Sequence, residues 1–171
     1  MPAIYSYVHL LRGGEREKAA LRGREILQLM MHRKRIAALT CFQERYFAER
    51  LDLALADDVR YALLLELGTH FSITGNTDVA ERFFRRCREE IGRERETARF
   101  RNLAVEAARR ESEILEKRGE FLAAEKLLED ALETHGDELL SQERAKLYND
   151  MAWIHYRLGA FDRSWEHCLL V

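Results

Sequence analysis

The chain has 171 residues, of which 47% are hydrophobic and 34% charged, and a net charge of −2. That length suits one domain with its own core, and the balance is that of a globular chain rather than a disordered one. No apolar run approaches the roughly 20 residues that a membrane span needs.

The first stretch, Met1 to Leu11, is apolar but short. No basic residue precedes it and no small-residue cleavage site follows, so it does not read as a signal peptide, and a cytoplasmic protein is expected. The only proline is Pro2, and Ala, Leu, Glu and Arg are abundant, which points to long helices and away from a sheet. After Gly13-Gly14 the chain is helical in character to about residue 32. The stretch Arg33 to Ala56 fits one helix, or two broken near Thr40-Cys41. Tyr61 opens another helix that ends at Gly75-Asn76, where Asn76 or Thr77 is a natural N-cap and Asp78 falls in the first turn. Val79, Ala80, Phe83, Phe84, Cys87 and Ile91 then mark one buried helical face over 77–92. Phe100, Leu103, Ala104, Ala107, Ala108, Ile114 and Leu115 do so over 97–118, and Phe121, Ala124, Leu128, Ala131 and Leu132 over 120–134. Gly92 to Glu96 is a polar turn, and Gly119 and Gly159 mark two further reversals. About eight or nine antiparallel helices are expected, in a single domain over 1–171.

Charge is unevenly spread. Residues 1–110 carry 21 Lys/Arg against 16 Asp/Glu, and residues 111–171 carry 7 against 14. The chain is thus basic at one end and acidic at the other, which can orient a partner. Cys41, Cys87 and Cys168 are widely separated and odd in number. They form neither a disulfide framework nor a zinc pair, and are read as buried free thiols.

A glycine followed five residues later by a small residue recurs as GEREKA, GNTDVA, GEFLAA and GAFDRS, with Gly14/Ala19, Gly75/Ala80, Gly119/Ala124 and Gly159/Ser164. The glycine ends one helix and reverses the chain, and the small residue lets the next helix approach closely. The segment Tyr61 to Gly92 resembles a tetratricopeptide repeat. Leu64, Leu67, Gly68, Phe71, Gly75, Ala80 and Phe84 stand where that family has large, large, small, aromatic, glycine, small and aromatic residues. Cys87 replaces the second alanine. The segment from Ala145 is similar through Tyr148, Met151, Ala152, His155, Gly159 and Ser164. The segment 105–136 matches in its second half, and 1–32 is the weakest copy. The closing proline is absent, and the marker glycines lie 61, 44 and 40 residues apart where the family has about 34. The resemblance implies an all-α, right-handed helical-hairpin solenoid with longer-than-usual repeats near 1–32, 61–92, 105–136 and 145–171. The apolar ending Leu169-Leu170-Val171 lacks a polar cap, which leads us to expect a piece of a longer protein and self-association through this end.

No phosphate-binding glycine loop, no H-E-x-x-H and no Glu-x-x-His pair is written here, so neither a cofactor nor a metal is expected, and no enzyme. Glu66 and His70, four apart, read as an ordinary surface pair. His155 reads as a packing residue, although it could approach Cys168 across the last hairpin. Arg82, Arg85, Arg86 and Arg88 form a basic patch interrupted by glutamates, with Phe83 and Phe84 turned to the core. This favours a salt-bridged face over nucleic-acid binding.

By the resemblance, the first helix of each repeat lines a concave groove. In the Tyr61 repeat this gives Ala62, Leu65, Thr69, Ser72 and Ile73. In the middle repeat it gives Glu106, Arg109, Arg110, Glu113, Glu116 and Lys117, and in the last Lys146, Asn149, Asp150, Trp153, Tyr156 and Arg157. Arg109, Arg110, Glu113, Lys117, Lys146, Asn149, Asp150, Trp153, Tyr156 and Arg157 are the candidate partner-binding residues, with Trp153 and Tyr156 as anchors. The function expected first is a protein-interaction scaffold in a longer signalling or assembly protein, holding a peptide or helix in its groove. A ligand- or peptide-responsive sensor controlling a tethered domain is second, and an RNA-binding repeat third.

Overall fold

The computed structural model describes residues 6–7, 9–10, 12–32, 57–92 and 98–171. Among them are seven α-helices and no strand. They are α1 (Arg16–His32), α2 (Asp57–Ile73), α3 (Thr77–Ile91), α4 (Ala98–Lys117), α5 (Phe121–His135), α6 (Ser141–Leu158) and α7 (Phe161–Cys168), with a 3-10 turn, Gly136–Glu138, between α5 and α6. The bounds of α3, α4 and α5 lie within one residue of the periodic stretches in the sequence. The stretch 33–56, with its choice of one helix or two, lies outside the described residues, as do Cys41 and the turn after Gly92. None of the described helices is long and apolar enough to cross a membrane.

Four reversals share one geometry. Gly14, Gly75, Gly119 and Gly159 have φ of 77°, 85°, 80° and 77°. In each case the following residue donates its N–H to a carbonyl five positions back. These bonds are Glu15 to Leu10 at 3.0 Å, and Asn76 to Phe71, Glu120 to Leu115 and Ala160 to His155 at 2.9 Å. This is the Schellman closure of a helix, which needs a left-handed residue that only glycine adopts without strain. Asn76 does precede α3, but its side chain makes no cap hydrogen bond, so the glycine sets this turn and the expected cap does not.

Small residues then bring paired helices together. Ala19, Ala80 and Ala124, each five after its glycine, are fully buried. Ser164, the fourth, donates its hydroxyl to the Ala152 carbonyl at 2.8 Å. Seven residues before Gly75, Gly119 and Gly159 stand Gly68, Ser112 and Ala152, all buried. A Cβ on Gly68 would lie 2.5 Å from the Phe84 ring, so α2 and α3 meet at a distance only glycine permits.

Each helix packs against the next, and α2, α4 and α6 also touch one another in chain order. Two apolar clusters result. One joins Ile26, Leu64, Leu67, Phe71, Ala80, Phe84, Ile91, Ala107 and Ile114 across α1 to α4. The other joins Val105, Leu115, Leu128, Leu147, Met151 and Ile154 across α4 to α6. Phe83 flanks the first, stacked on Phe71 with ring centroids 5.6 Å apart.

Three expectations change. His70 is 1% exposed rather than on the surface with Glu66. Its ring meets Phe71 edge-on at 5.5 Å, Nε2 has no hydrogen-bond partner among the described residues, and burial pushes its pKa down to about 4. Ala62, expected in the groove, is buried. Cys87 is a buried thiol, with Sγ 3.6 Å from the Tyr61 carbonyl and a pKa pushed up by burial to about 12, but Cys168 is exposed.

Gly68→Ala is expected to lower stability by about 1–3 kcal/mol, because the new methyl group must displace the Phe84 ring. Urea denaturation of the variant, beside Gly68→Ala/Phe84→Leu, checks this, and the double variant should recover part of the loss. His70 has a folded pKa below its ordinary value of 6.5. The unfolded chain therefore binds the proton first, and stability should fall as pH drops from about 6.5 toward about 4. His70→Gln should flatten that part of the stability–pH curve.

Candidate functional site

The candidate site lies where α4, α6 and α7 meet. An open groove of about 640 Å³ runs between them, lined by Glu113 and Glu116 from α4, Asn149, Asp150, Ala152, Trp153 and Tyr156 from α6, and Ser164 and Cys168 from α7. Trp153 and Tyr156, three apart on one helix, stack with ring centroids 5.7 Å apart and an interplanar angle of 22°. They are 48% and 55% exposed, high for large aromatic side chains beside a core. Tyr156 also meets Phe161 edge-on at 5.8 Å, which joins the aromatic floor to the start of α7.

The charged wall is tied to the scaffold by arginines that stand outside the groove. Arg109 reaches from α4 to α6, with Nε 2.6 Å from Asp150 Oδ2, and its Nη1 lies 3.0 Å from Glu106. Burial disfavours the charge of Arg109, but the hydrogen bond and charge of Asp150, with Glu106 and Glu113 behind it, outweigh burial and raise its pKa. Arg110, its neighbour in sequence, points elsewhere and stays on α4, holding Glu106 at 2.8 Å and Glu113 at 3.2 Å. Arg157 lies over two rings, 5.0 Å from the centroid of Phe121 and 5.6 Å from that of Trp153.

Glu116 is different. It has no ion pair among the described residues, and its pKa is raised by burial and by the charges of Asp150 and Glu113. The Trp153 indole and the Arg157 charge offset this only in part.

The structure thus brings Glu113, Asn149, Asp150, Trp153 and Tyr156 into one groove and sets Arg109, Arg110 and Arg157 around it as supports. Lys146 belongs elsewhere. It pairs with Glu143 at 2.7 Å and lines a hollow of about 340 Å³ with Leu65, Asn102, Leu103, Glu106 and Glu143. Lys117 is exposed and makes no ion pair among the described residues. Ser164 and Cys168 also line the groove, although the sequence pattern placed neither of them there. Ser164 was findable, since the glycine rule places it against α6, and Cys168 follows it by one helical turn.

Behind the groove, α7 is held by a ring stack. His155 is buried, with Nε2 2.6 Å from Glu125 Oε1, and stacks at 5.0 Å on His167, which in turn stacks at 5.8 Å on Tyr148. Burial first, and the neighbouring His155 second, hold the His167 pKa below its ordinary value. His155 is a packing residue, as expected. The outer face of α7 and the tail beyond it expose Phe161, Trp165, Leu169, Leu170 and Val171.

The basic patch on α3 is largely neutralised. Arg85 pairs with Glu81 and Glu111, Arg86 with Glu90, and Arg88 places Nε and Nη2 2.9 and 2.7 Å from Glu111 Oε2. No cluster of three metal-ligating side chains occurs among the described residues. No protein-family model matches this chain, and no match appears among curated proteins.

The Glu116 carboxyl should titrate above its ordinary value, because burial and the charges of Asp150 and Glu113 disfavour its ionised form. Asp150→Asn removes a repelling charge and frees Arg109, so both effects should lower the Glu116 pKa. Carboxyl NMR titration of the two proteins checks the direction.

Proposed function

We propose that this chain is a tetratricopeptide-like, helical-hairpin repeat module, cytoplasmic and non-catalytic, that binds a peptide or helix of another protein in the α4–α6–α7 groove. Two half-exposed, mutually stacked aromatic rings on the floor of an open groove carry this reading. Large aromatics of this kind bury much area at little entropic cost and commonly anchor partners. The repeated Schellman turns and the direct contacts among α2, α4 and α6 support the hairpin-repeat reading. In such an arrangement the first helices of successive hairpins share one face.

The RNA reading ranks lower, since Arg85, Arg86 and Arg88 are already engaged by carboxylates and, among the described residues, no exposed aromatic accompanies them. A sensor controlling a tethered domain ranks second. The groove is open and wide, better suited to a chain segment than to an enclosed small molecule. The competing occupant is a second copy of the chain through the apolar tail after α7.

An affinity capture from nuclease-treated native extract tests the reading, run with the wild type and with Trp153→Ala/Tyr156→Ala shown to be folded by circular dichroism. A partner protein that survives nuclease and is lost with the variant, by about 2 kcal/mol or more in a follow-up titration, is expected. Capture abolished by nuclease, or indifferent to the two alanines, would overturn it.

A further inference from the structure

We propose that the groove seats a cationic side chain of its partner, arginine or lysine, between the Glu116 carboxylate and the stacked Trp153–Tyr156 pair. This rests on the groove-binding reading and names the chemistry of the occupant.

Among the described residues, the groove lining holds three carboxylates, Glu113, Glu116 and Asp150, and no lysine or arginine. Two of the three are already matched, Asp150 by Arg109 and Glu113 by Arg110. Glu116 is the one left over, with no ion pair among the described residues. The cation nearest to it in effect, Arg157, lies over the rings of Phe121 and Trp153. A half-buried carboxylate crowded by two like charges is a site where an arriving cation gains most, because it relieves repulsion and supplies the missing partner at once. The same crowding selects against other occupants. An acidic peptide would add a fourth negative charge. A purely apolar one would strip water from Glu116 and leave its charge without a counter-ion.

The aromatic pair supplies the second half of the recognition. A guanidinium or ammonium carried past Glu116 would meet the exposed ring surfaces of Trp153 and Tyr156. These attract cations through their π faces and pack against an aliphatic stem. Arg157 already rests on Trp153 in this way, so the ring's surroundings accommodate a positive charge. The basic patch of α3 and the acidic lining of the groove stand on different helices, so the chain's own charge asymmetry leaves the groove end free to draw a basic segment.

The test uses the full chain and short amphipathic peptides made in matched sets, with arginine, lysine, citrulline or glutamate at one central position. Binding is followed by anisotropy, and by the fluorescence of Trp153 in a Trp165→Phe background, since these are the two tryptophans of the chain. Arginine and lysine members are expected to bind about tenfold tighter than their citrulline counterparts and to perturb Trp153, and Glu116→Gln should close that gap. Trp153→Ala should weaken every member. If citrulline matches arginine, or the gap survives Glu116→Gln, the cation inference falls. The groove reading still stands on the Trp153→Ala loss. If no member binds, or binding ignores Trp153→Ala, both fall.

Discussion

Gly75, Gly119 and Gly159 adopt φ near +80°, and at each the next N–H closes back onto a carbonyl five residues earlier. The antiparallel pairing of the helices that line the groove depends on this constraint. A left-handed residue at the end of a helix lets the chain reverse within three residues, so the following helix must lie against the preceding one. What that approach then requires is small side chains on both partners. Gly68 faces Phe84, and Ser164 binds the Ala152 carbonyl. A larger group at any of these points would push the second helix outward and, at the last hairpin, move the α7 wall away from Trp153.

Ion pairs across helices fix what the apolar contacts leave free, namely how neighbouring hairpins sit against each other. Glu111 on α4 is nearly fully buried and takes Arg85 and Arg88 from α3. Arg118, just past α4, takes Glu81 and Asp78 of α3 at 2.6 Å each. Arg109 joins α4 to α6 through Asp150. The planar, multi-donor guanidinium suits such partly buried pairs better than ammonium does. Among the described residues, Arg85, Arg88, Arg109 and Arg118 therefore tie neighbouring helices together.

Much of the fold was legible because it is written in local terms. The glycines, the small residues five later and the apolar stripes each depend on backbone geometry or helical period, which sequence carries directly. What was hidden depends on which neighbour covers a given face. His70 lies four residues from Glu66 and reads as a surface partner, yet its ring packs beside Phe71 in the core. Arg109 and Arg110 are adjacent and look alike, but about 100° of helical rotation sends one across to Asp150 and keeps the other on α4. Periodicity identifies the helix face. It does not identify the partner, so it could not show that Asp150 and Glu113 have counter-ions while Glu116 has none among the described residues.

The walls of the groove also differ in how they are held. The α4 wall is anchored by the Arg109–Asp150 pair, by the arginines on Glu111 and by residues in both apolar clusters. The α7 wall is a helix of eight residues, none of them fully buried. Its attachments include the Ser164 hydroxyl, the His155–His167 stack and the edge contact of Phe161 with Tyr156, while its other side presents Trp165 to solvent. Local stability tracks buried apolar contact, so the groove pairs a rigid acidic wall with a weakly buttressed one. Trp153 and Tyr156 belong to α6, whose inner face is packed in the core, so the aromatic floor shares the rigidity of the acidic side. The carboxylate and the rings that we assign to the cation are therefore held in fixed relation to each other. Adjustment to the rest of an occupant falls to the α7 side, where Ser164 and Cys168 present small groups that tolerate a shifted neighbour.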